Sequence, residues 1–133
     1  MKSAVLVILG VLSLTPPIRA YAQCIEFDRP AKLFALSDLV FVGTVLTSEP
    51  TGVEGDHVIV SIATFRLERS WKGRLDREVR VGSDLSFEVG RKYVVFAAGK
   101  PLSTTILCRW AERVDRAKRK LDWLASKRSR PAR

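Results

Sequence analysis

The sequence predicts one small, closed, mainly β domain of five short strands, with a short helix before them and an amphipathic helix after them. Five apolar stretches of strand length lie between residues 39 and 107, and turns containing glycine or proline separate them. The chain has 133 residues, of which 47% are hydrophobic. This length leaves room for one domain, and this hydrophobic content excludes a disordered chain.

The first 22 residues are predicted to be a cleaved signal peptide. An apolar run over residues 4–14 is followed by two prolines and by the stretch AYA at 20–22, which fits a cleavage site. The run is shorter than the roughly 20 residues that a membrane span needs. An uncleaved anchor or a buried strand is the alternative. Gln23 argues against a lipid-modified Cys24, because a small residue would precede such a cysteine. We therefore expect a secreted or periplasmic protein.

The two cysteines of the chain, Cys24 and Cys108, flank the mature domain. In an oxidising compartment such a pair favours a disulfide over free thiols. The bridge would close a loop of over eighty residues, worth about 4 kcal/mol in the chain-entropy treatment. Two buried free thiols or an intermolecular bridge are the alternatives.

The first helix and the first strand follow directly after Cys24. Asp28-Arg29-Pro30 offers a capping side chain before a proline suited to a first helical turn, and the helix should end near Ser37. Residues 39–46 are apolar nearly throughout, which is typical of a strand covered on both faces. Gly43 predicts a bend or bulge within this strand. Two glycines and a proline make residues 48–56 a predicted loop.

The remaining strands are shorter or alternate in polarity. His57 to Leu67 alternates as a long strand would, and Trp71-Lys72-Gly73 ends it. The last three predicted strands cover residues 78–81, 93–98 and 102–107.

After Cys108 the hydrophobic period changes to that of a helix. Apolar residues recur at steps of 4, 3, 4 and 3, which predicts about four helical turns with one apolar stripe. The stripe consists of Trp110, Val114, Ala117, Leu121 and Leu124. Residues 127–133 are predicted to be a frayed end.

The positive charge of the chain is concentrated at its C-terminus. The net charge is +9, and loss of the signal peptide lowers it to +7. Residues 23–108 carry 11 basic and 11 acidic side chains, whereas residues 109–133 carry 10 basic and 3 acidic ones. A basic amphipathic helix can contact an anionic surface. The residues predicted for this contact are Arg109, Arg113, Arg116, Lys120 and Lys127. The alternative is a solvated helix face.

Catalysis and cofactor binding find little support in the residue pattern. His57 is the one histidine of the chain. The sequence contains no nucleophile motif, no paired carboxylates, no metal-ligand spacing and no phosphate loop. We therefore predict no enzyme, no cofactor and no metal. Trp71-Lys72 could stack and pair with a nucleic acid or a carbohydrate. A structural role is favoured, since a body without net charge predicts no specific nucleic-acid binding.

Three stretches in order, followed by Cys108, resemble the bacterial form of the netrin-like domain family. They are SDLVFVGTV at 37–45, ERSWKG at 68–73 and FEVGRKYVVFA at 87–97. This family is similar to the N-terminal domain of the tissue inhibitors of metalloproteinases. The resemblance covers residues 24–108. It implies an OB-fold, that is, a five-stranded Greek-key barrel with flanking helices.

The resemblance also bears on function and on the cysteines. In the inhibitor branch the mature chain begins Cys-x-Cys and the first cysteine chelates the zinc of the protease, but residues 22–24 read Ala-Gln-Cys here. Relatives with two bridges place a cysteine before the Phe-x-x-Gly element, where residues 84–86 read Asp-Leu-Ser. The remaining pair is then Cys24–Cys108.

Taken together, the sequence predicts a signal peptide (1–22), a netrin-like OB-fold domain (23–108) and a basic helix with a tail (109–133). The expected function is that of an exported, non-enzymatic binding module. Its partner would be a protein or an extracellular macromolecule. A metalloprotease inhibitor acting through its N-terminal segment is the alternative.

Overall fold

The computed structural model describes Cys24 and residues 29–51, 59–73 and 76–132. The predicted signal peptide, His57 and most of the predicted loop at 48–56 lie outside these residues. The described residues form a mainly β fold in which two helices cover a seven-stranded sheet.

The elements are numbered here in chain order. The helices are α1 (Pro30–Leu36) and α2 (Lys118–Ala125), and a 3₁₀ turn (Val114–Arg116) precedes α2. The strands are β1 (Leu39–Pro50), β2 (Ser61–Lys72), β3 (Glu78–Ser83), β4 (Lys92–Ala97), β5 (Ser103–Thr104), β6 (Ala111–Arg113) and β7 (Arg130–Pro131).

The sheet curves into a nearly closed barrel. Its strand order is β5-β3-β2-β1-β4-β6, and β7 pairs with β2. Every pairing is antiparallel except the one between β3 and β5. An isolated bridge between Ala98, the residue after β4, and Ser103 brings the edge strand β5 to the end of β4 and nearly closes the sheet. Near closure of this kind shortens the unpaired edge of a sheet.

The first half of strand β1 is buried on both faces, as its nearly continuous apolar run predicts. The register to β2 shifts between Val42 and Gly43, which confirms the predicted bulge. A Cβ atom at Gly43 would lie 2.8 Å from the carbonyl oxygen of Arg66, so only glycine allows this close approach of the two strands.

Aromatic side chains fill the interior of the barrel. The ring of Phe65 meets those of Phe41, Phe87 and Tyr93 edge to face, with centroids 5.2, 4.9 and 6.4 Å away. These geometries match the preferred arrangement of aromatic quadrupoles. The barrel interior is therefore a packed aromatic core.

The outer faces of β1 and β4 form a second core with the helices. Val40, Val94 and Phe96 are fully buried there beneath Leu33 of α1 and Leu124 of α2. All three tryptophans, Trp71, Trp110 and Trp123, pack partly buried against this outer core.

The strands predicted at 78–81 and 93–98 are found near those bounds, whereas the strand predicted at 57–67 is found at Ser61–Lys72. The sheet has seven strands instead of the five predicted. Helix α1 ends before Ser37, whose hydroxyl donates to the Leu33 carbonyl at 2.6 Å. The residue before α1 is Arg29, without a side-chain cap, and Asp28 lies outside the described residues. Strand β1 continues to Pro50, where a loop was expected, because its end pairs with Ser61. The fifth strand keeps only two of its six predicted residues.

The continuous helix predicted after Cys108 is wrong. Residues 111–113 form β6 because the open edge of β4 binds their backbone, and the helix is reduced to the two turns of α2. Residues 130–131, predicted as frayed, pair with β2. The apolar stripe nevertheless packs as predicted, since all five of its residues contact the outer core.

The predicted disulfide is confirmed between Cys24 and Cys108, whose Cα atoms are 4.9 Å apart. It ties Cys24 to the turn that follows β5. Within the described residues, no helix has the length and apolar character that crossing a membrane would require.

Candidate anion-binding site

The turn that carries the first predicted contact residue is anchored by Asp84. One carboxylate oxygen of Asp84 accepts a hydrogen bond from the Thr105 hydroxyl at 2.5 Å, and the other accepts one from the Ile106 amide at 2.8 Å. The Thr105 hydroxyl in turn accepts a bond from the Cys108 amide at 3.1 Å. Asp84 therefore holds the loop that presents the disulfide and Arg109. In the sequence, Asp84 stands out only because netrin-like domains with two bridges have a cysteine in this stretch.

Arg109 has a left-handed backbone, with φ at 59°. This conformation costs a non-glycine residue roughly 1 kcal/mol or more. Its amide donates to the Ile106 carbonyl at 3.1 Å, and its own carbonyl accepts a hydrogen bond from the ammonium of Lys120. These two bonds fix the backbone, while the Arg109 side chain is exposed.

Lys120 does not lie on the predicted contact surface. Only 4% of the residue is exposed, and its Nζ lies 2.7 Å from Oε1 of Glu112. Glu112 projects toward the helices because its neighbours Ala111 and Arg113 face the other side of β6. The prediction for Lys120 is therefore wrong: its ammonium is a buried link between β6, α2 and the Arg109 turn.

Arg113 is partly engaged in ion pairs. Its guanidinium lies 2.9 Å from Asp115 and 3.8 Å from Glu88, and 23% of its side chain is exposed. Elsewhere in this region Lys118 pairs with Asp122 at 2.6 Å, and this hydrogen bond raises the pKa of the Lys118 ammonium. Each of the three acidic residues that follow Cys108 thus pairs with a basic residue of the same region.

Six basic side chains of the C-terminal region have no acidic partner within 4 Å among the described residues, and all six are exposed. They are Arg109, Arg116, Arg119, Lys127, Arg128 and Arg130. We call them the unpaired cations. Their side chains are free to meet an anion without first breaking an ion pair.

Three of the predicted contact residues lie together in one cleft. Arg109, Arg113 and Arg116 line a depression of about 490 Å³, with Tyr93 and Ile106 among its other lining residues. We call it the arginine cleft. It opens where β4, β6 and the 3₁₀ turn meet, beside the residue that follows Cys108.

Lys127 lies in a different place from the three arginines. Its Nζ is 4.8 Å from the centroid of the Trp123 ring, a cation–π distance, and it lines a groove shared with Trp71 and Leu121. The structure therefore divides the five predicted residues into three that share a cleft, one that is buried and one on another groove.

The Trp71-Lys72-Gly73 stretch has the structural contacts expected of a strand end. Trp71 packs partly buried on the outer core, and Nζ of Lys72 donates to the Phe34 carbonyl at 2.9 Å. Gly73 has φ at +90°, the left-handed conformation that lets the chain turn after β2. Trp71 and Lys72, the two side chains that could stack or pair with a nucleic acid or a carbohydrate, therefore already have contacts within the fold.

A larger depression of about 580 Å³ lies at another part of the barrel, between Asp38, Leu67 and Leu102. Its lining is mainly apolar, and the Asp38 carboxylate is held by the Gly99 amide at 2.8 Å. Residues 74 and 75, which are next to its lining residue Gly73, lie outside the described residues. Among the described residues, no group of three or more His, Cys, Asp and Glu side chains could hold a metal ion.

No protein-family model and no curated protein matches the chain.

Proposed function

We propose that the protein is an exported, non-enzymatic binding module of the netrin-like OB-fold type, whose basic C-terminal region contacts an anionic partner. The observation that carries this proposal is the set of unpaired cations. The body of the mature chain is electrically balanced, and the acidic residues after Cys108 are all engaged by neighbouring bases. The surplus charge is thus left at one exposed region.

The strand pairing supports the OB-fold part of the proposal. Strands β1, β2 and β3 pair in sequence, β3 pairs in parallel with β5, and β5 reaches β4, which pairs with β1. This ring of five strands is what a small Greek-key barrel of the OB type requires. In this interpretation β6 and β7 are additions, because each pairs with the outside edge or end of a ring strand.

The disulfide supports the export part of the proposal. Bridges of this kind persist in oxidising compartments, and Cys24 lies two residues after the predicted cleavage site. The bridge also holds Cys24 against Cys108, the residue that precedes Arg109.

Binding of the mature wild-type protein to lipid vesicles tests the functional part. We expect binding to vesicles that contain phosphatidylglycerol and none to pure phosphatidylcholine, since the attraction is electrostatic. Binding should fall steeply as salt shortens the Debye length from about 10 Å at 0.1 M to about 3 Å at 1 M. Binding that is equal on both vesicles, or unchanged at 1 M salt, would contradict the proposal.

Mass spectrometry of the exported chain tests the export part and separates the two candidate functions. We expect a mature chain that begins at Gln23 and contains the bridge. A chain that begins at Cys24 would give the cysteine a free amine, which could fill the open position of a catalytic zinc. That result would favour protease inhibition, and an intact residue Met1 would contradict cleavage.

A further inference from the structure

We propose that the arginine cleft binds a dianionic phosphoryl group. The inference rests on the proposed function, because it assigns the anionic contact to one point of the basic region. It goes further in naming the chemical group and the residues that would hold it, namely Arg109, Arg116 and Tyr93, with Arg113 in support.

The cationic groups of the cleft suit a doubly charged anion. Arg109 and Arg116 have no acidic partner among the described residues, and Arg113 already shares its charge with Asp115. A guanidinium presents its donors as a planar fork that matches the oxygens of a carboxylate or a phosphate. Two unpaired guanidinium groups carry twice the charge of one carboxylate. A phosphate monoester matches them better, because it carries a charge near −2 and three acceptor oxygens.

The carboxylates of the cleft already have basic partners. Glu112 is held by the Lys120 ammonium at 2.7 Å. Glu88 lies 3.4 Å from the Arg91 guanidinium and 3.8 Å from that of Arg113. An entering anion would therefore meet paired carboxylates instead of bare negative charges, and the field from Arg109 and Arg116 would be left to attract it.

Tyr93 supplies a hydroxyl that donates no hydrogen bond to any described residue. Its oxygen accepts a hydrogen bond from the Glu88 amide at 3.1 Å, and the described residues give its O–H no acceptor. The residue is only 6% exposed and lines the cleft. A buried hydroxyl with a free proton is an unmet donor. A phosphoryl oxygen in the cleft would satisfy it.

The size and walls of the cleft fit a ligand larger than the bare ion. Its volume of about 490 Å³ is within the range of small-molecule sites. Ile106 and Ala111 add apolar wall, which can contact the organic part of a phosphate ester. Such a group could belong to a soluble phosphate ester or to a phospholipid headgroup, and separate probes distinguish these sources.

Calorimetric titration of the mature protein tests the cleft. The probes are inorganic phosphate, glycerol 3-phosphate, and phosphatidylcholine vesicles with and without phosphatidate. The variant R109Q/R116Q removes both free forks, and R119Q/R128Q is its control because it removes equal charge outside the cleft. We expect the first variant to weaken phosphate binding by at least about tenfold, since each charge-assisted hydrogen bond contributes on the order of tenfold. The control should stay within about twofold.

A third variant, Tyr93→Phe, keeps the ring in the core and removes only the hydroxyl. We expect it to weaken phosphate binding several-fold with little change of melting temperature. Binding of the soluble probes would identify a phosphate ester as the ligand. Binding of phosphatidate vesicles alone would identify a phospholipid headgroup, provided that R109Q/R116Q weakens this binding and R119Q/R128Q does not.

Two results would contradict the assignment of phosphate binding to the arginine cleft. Equal losses of phosphate affinity in R109Q/R116Q and R119Q/R128Q would mean that anions bind through the overall positive charge and not in the cleft. The proposed function would then still hold, without a specific site in the cleft. Absence of binding by the wild-type protein to every phosphate probe would also overturn it. Failure of the proposed function is seen separately, as loss of salt-sensitive binding to phosphatidylglycerol vesicles.

Discussion

The barrel and the C-terminal segment, residues 109–132, use their charged residues in opposite ways. In the barrel the charges balance, and stability comes from an aromatic interior around Phe65. In the C-terminal segment few residues are buried, and one of them is a lysine. The segment is nevertheless part of the fold, because β6 and β7 pair with barrel strands and α2 covers the outer core.

The difference teaches that a basic residue cannot be assigned a role from its charge alone. Lys120 and Arg119 are neighbours on α2, yet Lys120 is buried in an ion pair while Arg119 is exposed and unpaired among the described residues. The first side chain contributes to stability and the second is available to a partner. Deleting residues 109–133 would therefore remove structure together with charge, and point substitutions separate the two.

The largest expected effect is on the barrel interior. Phe65→Ala should lower the free energy of unfolding by about 4 to 5 kcal/mol, because it removes a fully buried ring that meets three others. Leu107→Ala is the control, since Leu107 is 68% exposed, and it should change stability by less than about 0.5 kcal/mol. Urea unfolding followed by fluorescence measures both. Equal losses would mean that the barrel interior is not the main core.

The next effect concerns the disulfide, which ends at Cys108, immediately before the C-terminal segment. Cys24→Ser with Cys108→Ser should destabilise the protein by about 4 kcal/mol, since the bridge spans 84 positions and restricts the unfolded chain. A reductant should lower the melting temperature of the wild-type protein and leave that of the double variant unchanged. Titration of two free thiols in the unfolded, unreduced protein would rule the bridge out.

A smaller effect separates the two kinds of cation within the C-terminal segment. Lys120→Ala should cost about 3 kcal/mol, because it leaves Glu112 and the Arg109 carbonyl without their buried partner. Arg119→Ala should change stability by less than about 0.5 kcal/mol. Thermal unfolding by circular dichroism compares them. Similar melting temperatures for the two variants would contradict the structural role of Lys120.

Much of the barrel could be predicted from local patterns. The apolar runs of β1 and β4 identify strands because both of their faces are buried, and Gly43 marked the bulge. The helix predicted from Trp110 failed for a physical reason that no local pattern contains. The spacing of the apolar residues correctly identifies the side chains that face the core. It does not identify the backbone conformation, because residues 111–113 form long-range hydrogen bonds with the edge of β4.

The candidate site was predictable only in part. The charge surplus of residues 109–133 is visible in the sequence, and three of the five predicted residues do share a cleft. The burial of Lys120 was not visible, since it depends on Glu112, which is eight residues away and on another element. Asp84 was missed because its partners, Thr105 and Ile106, are more than twenty residues away in the chain. Tyr93 was missed because the cleft that it lines is completed by residues of later elements.

The most direct test reverses equal charge in the two regions. The variant R116E/R119E/R128E changes three exposed cations of the C-terminal segment, and R77E/R80E/K100E changes three exposed cations of the barrel. Both lower the net charge by six. Binding to phosphatidylglycerol vesicles at fixed salt should be lost in the first variant and largely kept in the second, because the unpaired cations hold the anionic surface. Equal losses in the two variants would show that only total charge matters, and would contradict a binding role for the C-terminal segment.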